Sequence, residues 1–154
     1  MNALLLRVGR GRNRWADTGF EEYASRMQTM KLREQRLSPE PFRGNVDMVR
    51  TAEGKRIRGA LRGGDKLILL DERGALPTTE GLADWIRAAE RQSTRRLVFA
   101  IGGPYGHDPA LRDEAWKVLA LSKMVLNHEL ARVILAEQLY RVSTLLWGGA
   151  PYHH

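Results

Sequence analysis

Arg96-Leu97-Val98-Phe99-Ala100-Ile101-Gly102-Gly103-Pro104-Tyr105-Gly106-His107-Asp108-Pro109 is the stretch on which the fold turns. After Arg96 the run to Ile101 is wholly apolar. It is too short for a helix and right for a strand buried on both faces, as in a parallel sheet. Glycines follow directly, and then Asp108-Pro109, an N-cap acid with proline at the first helical position. Strand, glycine loop and capped helix in that order predict a βα unit. In open α/β sheets ligands sit just beyond the carboxyl ends of strands. Glycines there let backbone approach a flat ligand and leave amides free. No Gly-Lys-Ser/Thr occurs in the loop, so a nucleoside-triphosphate P-loop is not supported.

The same alternation extends outward on both sides. Leu4–Val8 predicts a first strand, ended by Gly9 and Gly11, and Asp17–Met27 a helix with Phe20, Tyr23, Ala24 and Met27 on one face. Lys31–Leu37 predicts an exposed strand stopped by Pro39 and Pro41. Asn45 caps a helix running to about Leu61, with Gly63-Gly64 as its stop. Lys66–Leu70 predicts a second buried strand, Thr78 or Thr79 opens a helix through Glu90, and Val118–Leu121 is a short strand. The fold class is therefore α/β, a mostly parallel sheet with flanking helices. With 154 residues and no repeat or linker, residues 1–154 are expected to form one domain. His128–Trp147 predicts one long helix whose apolar residues cover most of its circumference, where a surface helix needs a single stripe. Either this helix is sandwiched inside the fold or it packs against a partner subunit. A chain of this size has few layers with which to bury a helix all round, so a homodimer is expected.

Composition narrows the functional classes. There is no cysteine, which excludes disulfides, thiolate catalysis and iron–sulfur ligation and suits a reducing cytoplasm. No apolar run is long enough to cross a membrane, and Met1–Arg7 does not read as a signal peptide. The formal charge is +7. Residues 1–62 hold 14 Lys/Arg against 7 Asp/Glu, whereas residues 63–154 hold 11 of each, so the whole imbalance lies early in the chain. Arginine dominates, with 20 of the 25 basic residues, and it suits bidentate phosphate contact and stacking on bases. Arg7, Arg10, Arg12 and Arg14 are the first cluster, with Arg10, Arg12 and Arg14 the expected contacts to a polyanion. Charge does not separate RNA, DNA and an acidic membrane, and a plain solvated face has the same composition.

Most single motifs are weak alone. Gly9-Arg10-Gly11 lacks the third glycine of a dinucleotide turn, because Arg14 stands there. Leu70-Asp71-Glu72-Arg73-Gly74 ends a buried strand, with Asp71 read as a turn or cap acid. His107, His128, His153 and His154 match no metal spacing, so no metal is expected. His128 reads as a capping or packing residue. The ending Pro151-Tyr152-His153-His154 is aromatic and protic, able to stack on a base or move a proton.

Three segments together resemble one family end to end. They are Leu70-Asp71-x-x-Gly74, Ile101-Gly102-Gly103-Pro104-x-Gly106, and Leu121-Ser122-Lys123-Met124-Val125-Leu126-Asn127-His128 continuing through Arg132-Val133 to Ala136-Glu137-Gln138-Leu139-Tyr140-Arg141, with Pro151-Tyr152-His153 closing the chain. Val8-Gly9 and Thr18-Gly19-Phe20-x-x-Tyr23 fit as well. The sequence is similar to the bacterial ribosomal RNA large-subunit methyltransferase H family, a branch of the SPOUT methyltransferases. That resemblance implies a homodimer with a trefoil-knotted α/β fold and S-adenosylmethionine as methyl donor. The implied reaction is methylation of N3 of a pseudouridine in helix 69 of 23S rRNA on the assembled ribosome. Carried over by motif, the cofactor pocket takes Leu70, Gly103 and the loop Ser122, Lys123, Met124, Val125, Leu126 and Asn127. Gly103 would let the cofactor lie against backbone. Tyr152 and His153 would reach the substrate base, positioning it or accepting its proton. Two positions depart from the family pattern: Asn127 stands where proline is usual, and His154 where an arginine often follows Tyr-His. A catalytically silent RNA-binding or ribosome-associated module is the alternative from another class. A SPOUT enzyme acting on tRNA is disfavoured, because no added RNA-binding domain is present.

Overall fold

The computed structural model describes residues 1–148. Five strands form one sheet in the order β2-β1-β4-β3-β5, and every pairing is parallel. The strands are β1 (Asn2–Val8), β2 (Lys31–Leu37), β3 (Asp65–Ala75), β4 (Arg96–Ile101) and β5 (Lys117–Leu119). The helices are α1 (Arg14–Ala24), α2 (Val46–Ala60), α3 (Thr79–Arg91), α4 (Pro109–Glu114) and α5 (His128–Trp147). Side chains alternate across a strand, so β1 and β4 feed two cores. Leu5, Ile68, Leu97 and Phe99 pack with α1, α3 and α5, while Leu4, Leu6, Leu69, Val98 and Ala100 pack with Ile57 of α2 and Leu111 of α4. Phe99 of the central strand is fully buried between Leu5 and Ile68 in register. Truncating a side chain so enclosed costs roughly 3–5 kcal/mol.

The capped starts agree with the sequence. Asn45 Oδ1 accepts from the Asp47 and Met48 amides, Thr78 Oγ1 from Gly81, and Asp108 Oδ1 from Ala110. Two expectations shift. The first helix begins at Arg14 and ends at Ala24, three residues earlier at each end than the apolar spacing predicts. Met27 is buried all the same, from the turn beyond the helix, so its burial was read correctly and its conformation was not. The third strand continues past Leu70 to Ala75, where the chain folds over β5: Leu119 pairs with both Leu70 and Ala75, and the Ala120 amide donates to Ala75 O at 2.7 Å. Gly74 permits this closeness, since a Cβ there would stand 2.5 Å from Val118 O.

The last helix is buried differently from the expectation. It packs against both α1 and α3 on the sheet, and Leu135, Ala136, Leu139 and Val142 are fully enclosed by the chain itself. Three helices side by side on one face cover the flanks of the middle one. Leu130 and Leu145 remain exposed. No helix among the described residues is long and apolar enough to cross a membrane.

Because all strands run the same way, their carboxyl ends share one edge of the sheet. The loops 9–13, 38–45, 76–78, 102–108 and 120–127 all leave from that edge.

Candidate functional site

A cleft of about 380 Å³ opens at this edge, between the ends of β3, β4 and β5. Its walls are Leu70 to Arg73, Ile101 to His107, Leu119, Leu121, Ser122 and Met124 to Leu126, with Arg50, His128 and Ala131 completing the rim and floor. Three segments far apart in the chain thus meet around one hollow. Met124 and Val125 are 73% and 79% exposed, an unusual state for large apolar side chains beside a cleft. Their loop is held by its own hydroxyl, with the Met124 amide donating to Ser122 Oγ at 2.9 Å.

Of the expected cofactor residues, Leu70, Gly103, Ser122, Met124, Val125 and Leu126 line this cleft, and Lys123 and Asn127 are not among its walls. Asn127 instead caps α5, its Oδ1 accepting from the Glu129 amide at 2.7 Å. Its φ of −56° is one that proline adopts, so the backbone suits the usual family residue and the asparagine adds a side-chain cap. The cap is therefore Asn127, and His128 occupies the first helical position and lines the cleft. Tyr152 and His153 lie outside the described residues.

Gly103 lines the cleft and also meets a close neighbour behind it. A Cβ there would point at Glu53 of α2, 2.8 Å from Oε1, so the glycine accommodates a buried carboxylate behind the loop. Glu53 is 3% exposed; its Oε2 accepts from the Glu40 amide at 3.0 Å, and its Oε1 has no partner among the described residues. Burial raises its pKa, and the Glu40 bond and the Arg56 charge only partly oppose this. The next residue, Gly54, would put a Cβ 3.1 Å from Asp108, so α2 presses its Glu53-Gly54 step against both ends of the cleft loop. Arg50, one turn earlier, donates from Nε to Tyr105 O at 2.7 Å. These residues escaped the sequence reading, yet a signal existed. Val49, Glu53 and Ile57 fall four apart on the apolar stripe of the helix, where an acid is out of place.

Asp71 and His107 of the cleft are committed. Burial alone would raise the Asp71 pKa, but hydrogen bonds from Arg73 hold it below the usual carboxylate range. Arg73 grips both oxygens at 3.1 Å, and its amide donates to Oδ1 at 2.9 Å. Asp71 lies within β3 and not in the turn expected, and its carboxylate serves the Arg73 amide and guanidinium. His107 is buried with Nε2 3.1 Å from Leu70 O, and desolvation lowers its pKa, so the ring is neutral at pH 7. Burial also lowers the pKa of His128. No cluster of metal-ligating side chains occurs among the described residues.

The loop carrying Arg10, Arg12 and Arg14 lies on the same edge of the sheet, and all three side chains are exposed. None of them forms an ion pair among the described residues, in contrast to Arg7, whose pairing with Glu34 and Glu129 is described below.

Comparison with known proteins agrees with this geometry. A family model described as "Predicted SPOUT methyltransferase" matches residues 1–153. A protein of Geobacter sp. (strain M21) named "Ribosomal RNA large subunit methyltransferase H" is 40% identical over 154 residues, spanning 100% of this chain and 99% of its own. A protein of that name from Nitrosospira multiformis is 42% identical over 156 residues, covering 99% of both chains. Another, from Brucella anthropi, is 47% identical over 115 residues, 75% of this chain and 71% of its own. With the match running end to end and the motif segments gathered round one cleft, the chain belongs to the ribosomal RNA large subunit methyltransferase H family of SPOUT methyltransferases.

Proposed function

We propose that this protein methylates N3 of a pseudouridine in the helix 69 loop of 23S rRNA, on the assembled ribosome, with S-adenosylmethionine as donor. It acts in the cytoplasm as a homodimer of single SPOUT domains with a trefoil knot. The observation that carries the reading is the convergence of Leu70, Gly103, Ser122 and Met124 to Leu126 on one cleft at the carboxyl edge of the sheet.

The cleft suits S-adenosylmethionine in its chemistry. Leu70, Ile101, Leu119 and Leu126 offer apolar walls for an adenine, while backbone from the 102–106 and 122–126 loops supplies polar partners. When bound, that donor supplies a methyl group already activated on a sulfonium, so the chain mainly positions and orients. The N3–H of pseudouridine is a weakly acidic imide and must lose its proton as the new N–C bond forms. Asp71 is locked by Arg73, and His107 is tied to the backbone at Leu70 and Ala100, so neither is free to take it. His128 in the cleft or His153 in the tail takes it, with Tyr152 orienting the base and nearby arginines stabilising an imidate. Arg10, Arg12 and Arg14 hold the rRNA backbone.

S-Adenosylmethionine at 100 times its Kd should stabilise the protein by about 2.7 kcal/mol. Methyl label should then pass from it to ribosomes, and deleting Tyr152–His154 should abolish transfer while leaving the thermal shift intact. A silent RNA-binding module would show neither the shift nor the transfer.

A further inference from the structure

Beyond the cleft, on the side of α2, stands an aromatic pair that the methyl-transfer reading leaves unused. Phe42 and Tyr105 stack with ring centroids 5.3 Å apart and an interplanar angle of 27°. Tyr105 is part of the cleft wall, whereas Phe42 lies just outside it and is 52% exposed. Large aromatic side chains are not normally held open to water on a rigid support, and this support is rigid. The 38–45 loop is tied to α2 by Arg56 donating to Ser38 O at 3.0 Å, by the Arg56–Glu40 ion pair, and by the Glu40 amide on Glu53. Tyr105 is fixed in turn by the Arg50 bond to its carbonyl. Arg50 itself lines the cleft and is a third exposed, with the exposed Asp47 at 3.9 Å from Nη1, and the exposed Arg43 adjoins Phe42 in the chain.

We propose that Phe42, stacked on Tyr105 and flanked by Arg50 and Arg43, is a platform for an unpaired base of the RNA substrate next to the nucleotide in the cleft. The inference rests on the proposed rRNA substrate and assigns it a second subsite. An open aromatic face binds any base by stacking, and neighbouring guanidinium groups take the phosphates on either side. Charge complementarity favours a nucleic acid over another copy of this chain, because the rim carries cations beside its aromatic ring. Phe42 is a positioning residue: it holds the strand so that the target nucleotide enters the cleft in register.

The test uses the full-length protein and assembled ribosomes, with binding and methyl transfer measured separately. Phe42→Ala should weaken ribosome binding and raise KM about tenfold, with kcat and S-adenosylmethionine affinity little changed. The slope of affinity against salt should stay that of the native protein, since no charge is removed. Phe42→Trp should restore binding and Phe42→Leu should not. Restoration by leucine would show that the ring merely packs, and binding within twofold of the native value for Phe42→Ala would show that it does nothing. A changed sedimentation coefficient for Phe42→Ala would assign the ring to an interface between copies of this chain. Any of these three overturns the platform. If the native protein binds ribosomes without methylating them, the proposed function fails, and the binding data still decide the platform.

Discussion

Arg7 and Arg10 are three residues apart and do opposite things. Arg7 is 3% exposed at the end of β1, donating to Glu129 at 2.8 Å, with Glu34 at 3.5 Å. Arg132, 2% exposed on α5, completes the set: it holds Glu34 through Nε and Nη2 at 2.8 and 3.0 Å, Glu129 at 2.6 Å and Asp17 at 3.0 Å. Burial works against the charge on Arg132, and the bonds to Glu34 and Glu129 more than offset it, raising its pKa. Two arginines and three acids thus join β1, β2, α1 and α5. Arg10, Arg12 and Arg14, in the loop immediately beyond, are exposed and without acidic partners among the described residues. A charge excess counted along a chain therefore overstates what a phosphate meets. Arg7, Arg26, Arg56 and Arg58 all belong to the basic first 62 residues and are all paired with acids, whereas the Arg10–Arg14 loop is free.

The largest effect is expected where the charge is buried. Arg132→Ala leaves Glu34 and Glu129 with Arg7 as their one remaining cation among the described residues. It should destabilise the protein by roughly 3–5 kcal/mol in urea titration, with Arg132→Met somewhat milder because it fills the volume but leaves the acids equally short of charge. A loss under about 1 kcal/mol would mean that the network does not hold the helices. The exposed set should behave in reverse. Replacing Arg10, Arg12 and Arg14 together by alanine should leave the melting temperature within about 2 °C. It should reduce the slope of log K against log salt for ribosome binding by about 2–3. An unchanged slope would remove this loop from the RNA interface.

The smallest effect sharpens the comparison with a buried charge that has no cationic partner in contact. The folded-state pKa of Glu53 lies above its ordinary value of 4.5, so the native state binds more protons than the unfolded chain above that pH. Stability therefore falls as pH rises through the window from about 4.5 to the folded pKa. Glu53→Gln removes the titration and should stabilise the protein by up to about 1 kcal/mol at pH 7–8, with the gain vanishing near pH 4. A gain independent of pH would assign the effect to packing against Gly103 instead.

Much of this was legible in the residues alone. Hydrophobic period, proline and glycine placement, and capping side chains are local properties, and they located β2, β4, α2, α4 and α5 almost to the residue. Short motifs at strand ends pointed to Leu70, Gly103 and the 122–127 loop as cofactor residues, and all of these but Lys123 and Asn127 line one cleft. What the residues could not say is which of them would meet. Periodicity marks a residue as buried without naming what covers it, so α5 left open both burial within the fold and packing on a partner, and α1 and α3 flank it. The continuation of β3 to Ala75 depends on pairing with a strand more than 40 positions away, and no local propensity encodes that. The closeness of Gly103 to Glu53, fifty residues earlier and on another element, was likewise invisible. Arg7 and Arg10 look alike in the chain because charge is a property of a side chain, whereas burial and pairing belong to the assembled fold. Only the tertiary structure decided that one arginine closes an internal network and the other faces solvent.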